Sequence, residues 1–504
     1  MLTESFSGIR GLFNQDLTKE VIDNYALAFA NFLKKKNPKP LVILGMDTRP
    51  SSPMIKEDMK KIFLQQGIDV YDVGFNTTPA IQHGVRHYKA DGGVIISASH
   101  NEPIWNGWKF LRQTGSVLKP SEIKEVIDNS KNPGTQTKSD SSLNNKTELR
   151  GKAEDRGSEL RQSYIDFVLK LIGDKGMIEI QNANFKVVVD PNGGAAATVI
   201  KDLLKKLNVK IIEKNMELGV FNRLIEPNEK SLAYLAYYVE DLKADIGAGW
   251  DCDGDRVELV IPNNSKFSKE RGRMLSGHYI LGLVVEAVLS EHENEFPTVV
   301  VNDATSNLIA ELAEKHNASI AEVEVGEINV VDKMDELNSP VGGEGSSSGG
   351  ISPPSKCRDG ILSLVQILLL MAKRKQKITE ILEEFPAYYT ERTGVKCEPN
   401  IAVRLREKLE IYWKNQEHIK EIRKTGDETG GLKIIREETK EGPGWIWYRA
   451  SKTEAGLFRI ISDAKERAYA DKLLGMGEKA FNDCIADIEL ESEEAPPDAM
   501  SEEE

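Results

Sequence analysis

Cysteine, long apolar runs and clustered basic residues are all scarce in this sequence. The four cysteines, Cys252, Cys357, Cys397 and Cys484, form no Cys-x-x-Cys pair. This spacing excludes a disulfide framework and a zinc site, and it indicates reduced thiols in a cytoplasmic protein. No apolar run approaches the roughly 20 residues that cross a bilayer, and residues 1–11 lack the pattern of a signal peptide. Because no basic stripe with interleaved aromatics is present either, we expect neither a membrane nor a nucleic acid as a partner.

Acidic residues, by contrast, are in excess and are concentrated at one end. The net charge is −14, but nine acidic and no basic residues lie in 487–504, so the rest of the chain carries only −5. This composition is typical of a solvated segment, and we predict that 487–504 is a disordered tail. The length of 504 residues exceeds a single hydrophobic core and suggests three or four domains.

Apolar strands and amphipathic helices alternate through the first 385 residues. The first β-α-β-α-β series ends with a predicted strand at 93–97, and such a series is typical of a mainly parallel α/β layer. The pattern returns at 186–249 and at 298–373 without obvious sequence identity between the repeats. After residue 385 the pattern becomes α+β. Residues 129–157 are rich in Ser, Asn, Lys, Gly and Thr, which predicts an exposed insertion.

Three carboxylates alternate in the turn after the predicted strand 244–249. Asp251, Asp253 and Asp255 can point at one place, where their mutual repulsion calls for a cation. Oxygen ligands favour magnesium or calcium over zinc. An EF-hand is excluded, because its sixth and twelfth positions, Gly and Glu, hold Arg256 and Pro262 here. A solvated acidic turn is the alternative.

A serine follows the predicted strand 93–97, at the sheet edge where ligands bind in open α/β sheets. Ser99 lies in Ser-Ala-Ser-His-Asn, and its neighbour His100 can hydrogen-bond the loop or a phosphate. A phosphoserine beside the carboxylates would leave a negative site, so we expect Arg10, Lys109 and Arg256 to offset the charge. No Gly-x-Ser-x-Gly elbow surrounds Ser99, which disfavours a serine hydrolase. If the two segments meet, they predict phosphoryl transfer.

Two further loops carry polar groups. Residues 343–347, Gly-Glu-Gly-Ser-Ser, offer a carboxylate and hydroxyls that suit sugar recognition, although an exposed Gly/Ser loop is the alternative. Residues 449–454, Arg-Ala-Ser-Lys-Thr-Glu, with Arg459 beyond, gather cations and hydroxyls that suit a phosphate that is not transferred. An ordinary polar turn is the alternative here.

In this order the four segments resemble one family, the α-D-phosphohexomutases, which include phosphoglucomutase/phosphomannomutase and phosphoglucosamine mutase. They are similar to the family's serine loop, metal loop, sugar loop and phosphate loop, which are here residues 97–103, 251–256, 343–348 and 449–455. The metal-loop motif, Asp-x-Asp-Gly-Asp-Arg, is matched in full, and the serine loop is followed by the family's Asn-Gly-x-Lys at 106–109. Further similar segments are 8–11, 45–52 and 358–360, so the resemblance spans residue 6 to about 481.

The resemblance implies an α/β fold with three similar mixed α/β domains plus a C-terminal α+β domain around a central cleft, each domain giving one loop. The predicted ranges are 1–160 for domain I with the serine loop and the exposed insertion 129–157, 161–265 for domain II with the metal loop, 266–385 for domain III with the sugar loop, 386–486 for domain IV with the phosphate loop, and 487–504 for the acidic tail.

The resemblance also implies a mechanism, in which phosphorylated Ser99 exchanges phosphoryl groups with a hexose phosphate, of mannose or glucose or both, through a bisphosphate. One Mg²⁺ would be bound by Ser99, Asp251, Asp253 and Asp255, and a hexose bisphosphate would act as activator. The implied catalytic residues are Ser99, Lys109, Arg10 and His100. The implied substrate-binding residues are Arg256, Glu344, Ser346, Arg449, Ser451, Thr453 and Arg459.

Three departures from the family pattern keep alternatives open. Glu102 interrupts the serine loop, Lys452 and Ala455 replace the Gly and Pro of the phosphate loop, and Ser347 and Ser348 stand where many sugar loops have a histidine. The last departure weakens any assignment of a histidine acid or base to the sugar loop. The alternatives are a phosphoglucosamine mutase and a catalytically impaired homologue that binds sugar phosphates.

Overall fold

The computed structural model of the protein describes residues 2–5, 7–132, 150–292, 296–438, 440–452 and 456–493. These residues form four sheets of seven, four, four and five strands, in chain order. Across these ranges, no helix combines the length and the apolar composition that a membrane crossing requires. Three mixed α/β units and a C-terminal α+β unit follow one another along the chain, as predicted for the fold class.

The first unit is a seven-stranded sheet with four helices. Its elements are β1 (Thr3–Ser5), β2 (Gly8–Leu12), α1 (Lys19–Lys34), β3 (Leu41–Met46), α2 (Ser52–Gln65), β4 (Asp69–Phe75), α3 (Thr78–His87), β5 (Gly92–Ile96), β6 (Trp105–Arg112), α4 (Pro120–Lys131) and β7 (Ala153–Asp155). The strand order is β1-β2-β6-β5-β3-β4-β7. Helices α1 and α3 begin after Thr18 and Thr77, because each threonine side chain accepts a backbone N–H of the first turn.

The second and third units each have a four-stranded sheet. The second contains α5 (Gly157–Ala183), β8 (Lys186–Asp190), α6 (Ile200–Lys206), β9 (Lys210–Glu213), α7 (Glu229–Asp241), β10 (Ile246–Trp250) and β11 (Val257–Val260). The third contains α8 (Lys266–Arg271), α9 (Gly277–Leu289), β12 (Thr298–Asn302), α10 (Asn307–Lys315), β13 (Ser319–Val323), α11 (Glu327–Leu337), β14 (Val341–Gly343), β15 (Gly350–Ile351), α12 (Gly360–Arg374) and α13 (Ile378–Glu383).

The three α/β units share one strand order. It is β4-β3-β5-β6 in the first unit, β9-β8-β10-β11 in the second and β13-β12-β14-β15 in the third, with the fourth strand of each antiparallel to the third. The serine, metal and sugar loops each connect the third strand to the fourth. Each loop therefore lies at the carboxyl edge of its sheet, where ligands bind in α/β folds.

The fourth unit has an antiparallel sheet instead. Its elements are β16 (Tyr389–Lys396), α14 (Ala402–Lys414), β17 (Ile419–Lys424), β18 (Leu432–Arg436), β19 (Gly444–Ala450), β20 (Leu457–Ala464) and α15 (Arg467–Glu493), in the strand order β16-β20-β19-β18-β17. The phosphate loop lies in the turn between β19 and β20. Helices α14 and α15 cover the sheet, with Leu409 and Trp413 of α14 in the core between them.

Apolar packing joins the units unequally. One continuous core contains Tyr164 and Trp250 of the second unit together with Leu281 and Leu368 of the third, so the metal and sugar loops rest on a shared core. The fourth unit has a separate core and meets the third unit through a small cluster of Ala304, Trp445, Trp447 and Ile461. Its position therefore depends more on polar contacts than that of the other units.

Two predictions about exposed segments need correction. Helix α15 continues to Glu493, so disorder is wrong for 487–493, because Ile488 packs with Phe481 and Cys484 in the core. Residues 494–504 lie outside the described residues. Within the predicted insertion 129–157, α4 reaches Lys131 and 153–155 form an exposed edge strand that pairs with β4 through backbone hydrogen bonds. Residues 133–149 are not described, and the domain boundaries at 160, 265 and 385 stay predictions.

Candidate active site

The serine loop and the metal loop meet. The hydroxyl of Ser99 donates to Asp251 Oδ2 at 3.2 Å, although the two residues are 152 positions apart in the sequence and belong to different units. Ser99 is 2% exposed and has a φ of 52°, a conformation that residues other than glycine adopt rarely. Arg49 stabilises it by donating from Nη2 to the Ser99 carbonyl at 2.6 Å, and the Ser97 hydroxyl accepts the Ser99 N–H.

The three carboxylates of the metal loop converge as their spacing predicts. One oxygen each from Asp251, Asp253 and Asp255 lies within 4.8 Å of the others, and all three side chains are buried. Burial, followed by the charges of Asp253 and Asp255, raises the pKa of Asp251 well above its usual value. The Oδ1 atoms of Asp253 and Asp255 are buried without a hydrogen-bond partner. Unpaired carboxylate oxygens around one point are a suitable ligand set for a hard divalent cation.

Lys109 lies beside this cluster. Its Nζ donates to Asp253 Oδ2 at 3.1 Å and lies 3.5 Å from Asp255 Oδ2. Burial lowers the pKa of Lys109, but Asp253 and Asp255 outweigh that effect and raise it above its usual value. Asp253 also accepts a hydrogen bond from the Thr78 hydroxyl at 2.6 Å. Lys109 is therefore a charged group that offsets part of the negative charge of the metal loop.

Arg10 and Arg256 form a cationic side of the same site, next to His100. Arg10 Nη1 donates to Asn101 Oδ1 at 3.2 Å, and burial together with the charge of Arg256 lowers the pKa of Arg10 to about 10. The charge of Arg256, followed by burial, lowers the pKa of His100 to about 2, so this imidazole is neutral. His100 Nδ1 and Arg256 Nε are buried without partners. Mutually repelling cations with unpaired donors are suited to an anion such as phosphate.

The sugar loop presents Glu344 inside a set of donors. Its Oε1 accepts from the Asn302 side chain at 3.0 Å and from the Gly326 N–H at 2.8 Å, while Oε2 accepts from Arg358 Nη1 at 2.9 Å. Since Oε2 has only this one donor, it can accept a ligand hydroxyl as well. Ser346 is exposed at the loop tip and lines a cavity of about 420 Å³.

Two side chains from other elements support the sugar loop. The Ser348 hydroxyl donates to the carboxylate of Glu258 on β11. His278, in the first turn of α9, lies against Gly345 and accepts the Ser306 N–H at Nδ1. Burial, with a smaller effect of Arg392, lowers the pKa of His278 to about 4. A neutral histidine therefore lies behind the loop that lacks one in its own sequence.

The phosphate loop brings cations to the end of the β19–β20 hairpin. Arg449 and Arg459 are directly opposite each other in the register of the two strands. Arg449 is 7% exposed, and its Nε is buried without a partner. Lys452 forms an ion pair with Glu324 of the third unit. Ser451 is at the end of β19, and Thr453, which the resemblance assigns to substrate binding, lies outside the described residues.

Several residues of the site carry no role in the sequence analysis. Arg358 joins Glu344 to the metal loop, with Nη2 3.6 Å from Asp255 Oδ2 and Nε 3.6 Å from Glu327. Residues 358–360 resemble the family pattern, and this resemblance was the sequence feature that could have identified Arg358. Arg49 lies in a similar recognisable segment, whereas the contact of Glu258 with Ser348 had no sequence signal.

The comparisons with known proteins agree with this geometry. Models of the phosphoglucomutase/phosphomannomutase family match residues 4–136 as α/β/α domain I, 162–264 as domain II and 276–389 as domain III. A phosphoglucomutase/phosphomannomutase from Thermococcus kodakarensis is 32% identical over 484 residues, which cover 95% of this chain and 98% of the relative. A phosphoglucosamine/phosphogalactosamine mutase from Sulfurisphaera tokodaii is 28% identical over 470 residues, 93% of this chain and 96% of the relative.

The fold comparison gives the same result. The crystal structure of a phosphoglucomutase/phosphomannomutase family protein from Burkholderia thailandensis matches 96% of this chain and 98% of its own, with a TM-score of 0.75 at 19% identity. Together with the identity to the Thermococcus relative over nearly the whole chain, these matches establish the family. The protein belongs to the α-D-phosphohexomutases, a family of isomerases.

Proposed function

We propose that this enzyme interconverts the 1-phosphate and 6-phosphate of glucose, mannose or both, through phosphorylated Ser99 and a bisphosphate intermediate. The observation that carries the proposal is the contact between the Ser99 hydroxyl and Asp251, within a buried triad that still has unpaired oxygens. A hydroxyl beside a cation site and flanked by Lys109 is the arrangement that phosphoryl transfer through a side chain requires.

Each half of the reaction is a displacement at phosphorus. A hydroxyl oxygen of the hexose monophosphate bonds to the phosphorus on Ser99 as the bond from phosphorus to Oγ breaks. The proton that the hydroxyl loses ends on Ser99 Oγ. Lys109 and Arg10 stabilise the charge on the transferring group. The bisphosphate then turns over in the cleft and returns its other phosphoryl group to Ser99, and free hexose bisphosphate would phosphorylate the enzyme in the same way, as an activator.

Asp251, Asp253 and Asp255, with an oxygen of the phosphorylated Ser99, would hold one Mg²⁺. When bound, the metal ion offsets negative charge on the transferring phosphoryl group. The fit of these residues rests on their convergence and on the unpaired Oδ1 atoms of Asp253 and Asp255. Lys109 occupies Oδ2 of Asp253, which leaves Oδ1 of that residue for a metal ion.

The remaining loops would bind the rest of the substrate. Glu344 and Ser346 read sugar hydroxyls, and Arg256 binds phosphate near Ser99. The distal phosphate, in either orientation, is bound by the side chains that the resemblance assigns: Arg449, Ser451, Thr453 and Arg459. Support comes from the free acceptor capacity of Glu344 and the unpaired Nε of Arg449. Four buried free cysteines support our proposal of a cytoplasmic enzyme.

A phosphoglucosamine mutase is the second candidate, because a relative of nearly the same length acts on amino sugars by its name. The test is turnover of glucose 1-phosphate, mannose 1-phosphate and glucosamine 1-phosphate by the purified enzyme, with intact-mass analysis for phosphate. We expect phosphate on Ser99 and turnover of glucose 1-phosphate or mannose 1-phosphate. Turnover of the amino sugar alone would select the second candidate, and no turnover would indicate the impaired homologue.

Ser99→Ala tests the chemistry. It should lose both the bound phosphate and the mutase activity, by a factor of at least about 10³, because the nucleophile is absent. Ser130→Ala is the matched control, since Ser130 is also a buried serine of the first unit, and its hydroxyl bonds Ile127 of α4 and Tyr25 of α1 rather than a residue of the site. Substantial turnover by Ser99→Ala would contradict the phosphoserine mechanism.

A further inference from the structure

Lys452 stands in the phosphate loop where the family motif has glycine. Its Nζ lies 2.5 Å from Glu324 Oε1 and 3.9 Å from Asp427 Oδ1, and its side chain is 25% exposed. Glu324 belongs to the third unit, in the connection between β13 and α11. The ammonium group is therefore held by a carboxylate from another unit.

Glu324 faces more than one cation of this loop. Burial lowers the pKa of Arg449, and Glu324 has the largest opposing effect. Glu324 also lies close to Gly426, where a Cβ would come within 2.2 Å of its Oε2. Gly426 thus leaves room for the carboxylate of Glu324, which offsets the charges of both Arg449 and Lys452.

The surroundings indicate that an anion belongs at this position. Arg449 and Arg459 are directly opposite each other in the register of β19 and β20, so two guanidinium-bearing residues lie at this end of the hairpin. The buried Nε of Arg449 still has no acceptor. Glu324, Asp303 and Glu344 offset part of the effect of burial on Arg449, and a phosphate dianion could in addition accept several hydrogen bonds at once.

We propose that Lys452 is an additional phosphate ligand of this enzyme, held by Glu324 while the loop is empty and transferred to the distal phosphate of the substrate when it binds. Glu324 then competes with the phosphate for the same ammonium group. The inference deepens the proposed function, on which it rests, by adding to the phosphate loop a cation and a counter-ion that the family motif does not contain.

A purely structural role of the Lys452–Glu324 ion pair predicts a different result. Other ion pairs join the same two units: Arg423 and Lys433 with Glu322, and Lys465 with Glu311 at 2.7 Å. If Lys452 and Glu324 only hold the units together, removing either partner should weaken substrate binding alike. If they compete with phosphate, the two changes should have opposite effects.

The experiment compares Lys452→Ala, Glu324→Gln and the control Lys465→Ala. The readouts are kcat and KM for the hexose 1-phosphate that the enzyme turns over, and the inhibition constant of inorganic phosphate. Loss of one charge-assisted hydrogen bond should raise KM about tenfold in Lys452→Ala, with kcat within about twofold. Glu324→Gln should lower KM about threefold, because Lys452 is released. Lys465→Ala should leave kcat and KM unchanged. In each variant the inhibition constant of inorganic phosphate should change in the same direction as KM.

Two results would overturn the inference: an unchanged KM in Lys452→Ala, or a KM raised in both Lys452→Ala and Glu324→Gln. Thermal unfolding of each variant identifies a change that only destabilises the fold. If the wild-type enzyme turns over no hexose phosphate, the proposed function fails. Binding of inorganic phosphate to the same variants by calorimetry still tests Lys452 in that case, so the two failures can be distinguished.

Discussion

At the scale of single residues, the site depends on buried charges whose partners come from other units. Arg358 of the third unit contacts Glu344 of its own unit and Asp255 of the second. Lys109 of the first unit contacts Asp253 of the second. Each of these groups is costly to bury alone, and removing one partner leaves the other uncompensated. Each of these side chains therefore links two parts of the site and also stabilises its partner's buried charge.

Glu258 is a carboxylate of β11 whose burial has a large effect on its pKa. Its carboxylate accepts from Ser348, yet burial raises its pKa to about 8, with Arg256 and Arg392 lowering it and Glu226 raising it. Because this pKa lies far above that of an exposed glutamate, ionisation of Glu258 disfavours the folded state. The free energy of unfolding therefore depends on pH through this residue.

Glu258→Gln should remove that dependence. The folded-state pKa lies above the usual value of 4.5, so the stabilisation is complete below about pH 4.5 and is lost as the pH rises through about 8. We expect Glu258→Gln to be about 1–3 kcal/mol more stable than the wild type near pH 8.5 and similar near pH 5, measured by urea unfolding. Glu336→Gln, on an exposed side chain, is the control. An identical pH dependence in Glu258→Gln and wild type would contradict the assignment.

At the scale of elements, one connection recurs with different chemistry. The turn from the third to the fourth strand carries Ser99 in the first unit, the triad of Asp251, Asp253 and Asp255 in the second and Glu344 in the third. A shared strand order places all three turns at carboxyl sheet edges. In the third unit the turn also rests on the first turn of α9, where Gly345 contacts His278.

Gly345→Ala tests this contact between the sugar loop and α9. A Cβ at this position would lie 2.2 Å from His278 Nδ1 and 2.9 Å from Thr305 Cγ2, and His278 cannot turn away without losing its bond to the Ser306 N–H. We expect kcat/KM to fall at least about tenfold, because the sugar loop must move. Gly475→Ala in α15, where no atom lies within 4 Å, should keep kcat/KM and gain about 0.5–1 kcal/mol in stability. Unchanged kinetics in Gly345→Ala would show that the loop tolerates displacement.

At the scale of the whole molecule, the site exists only where the units meet. Ser99 and Lys109 come from the first unit, the triad from the second, and Arg358 from the third. The negative charge of the triad is therefore offset in part by cations that two other units supply. A divalent cation bound there should stabilise the assembly as well as support the chemistry.

Metal removal should thus lower thermal stability. We expect enzyme treated with EDTA to unfold at a lower Tm and Mg²⁺ to restore it, with about 2.7 kcal/mol gained at a concentration 100 times Kd. Asp253→Asn and Asp255→Asn should lose the response to Mg²⁺, whereas Asp427→Asn, on the exposed surface, should keep it. A Tm independent of Mg²⁺ in the wild type would contradict metal binding by the triad.

The sequence by itself determined the features that reside in local spacing. Alternating carboxylates after a buried strand predicted the metal loop, and the repeated β-α pattern predicted three α/β units. Local sequence patterns predicted the ends of helices less accurately where tertiary contacts end the element. The helix predicted over 402–418 ends at Lys414 because Ile419–Lys424 pairs with β18, and the helix predicted from Asp463 begins at Arg467 because Asp463 belongs to β20.

Only the tertiary structure decided which distant charges neutralise each other. Arg358 with Glu344 and Asp255, Ser348 with Glu258, and Lys452 with Glu324 are pairings that no spacing along the chain encodes. The physical reason is that a side chain's electrostatic energy depends on burial and on the nearest opposite charge, both of which arise when the units pack. Hydrophobic periodicity, in contrast, reflects the local geometry of helix and strand and is present before packing.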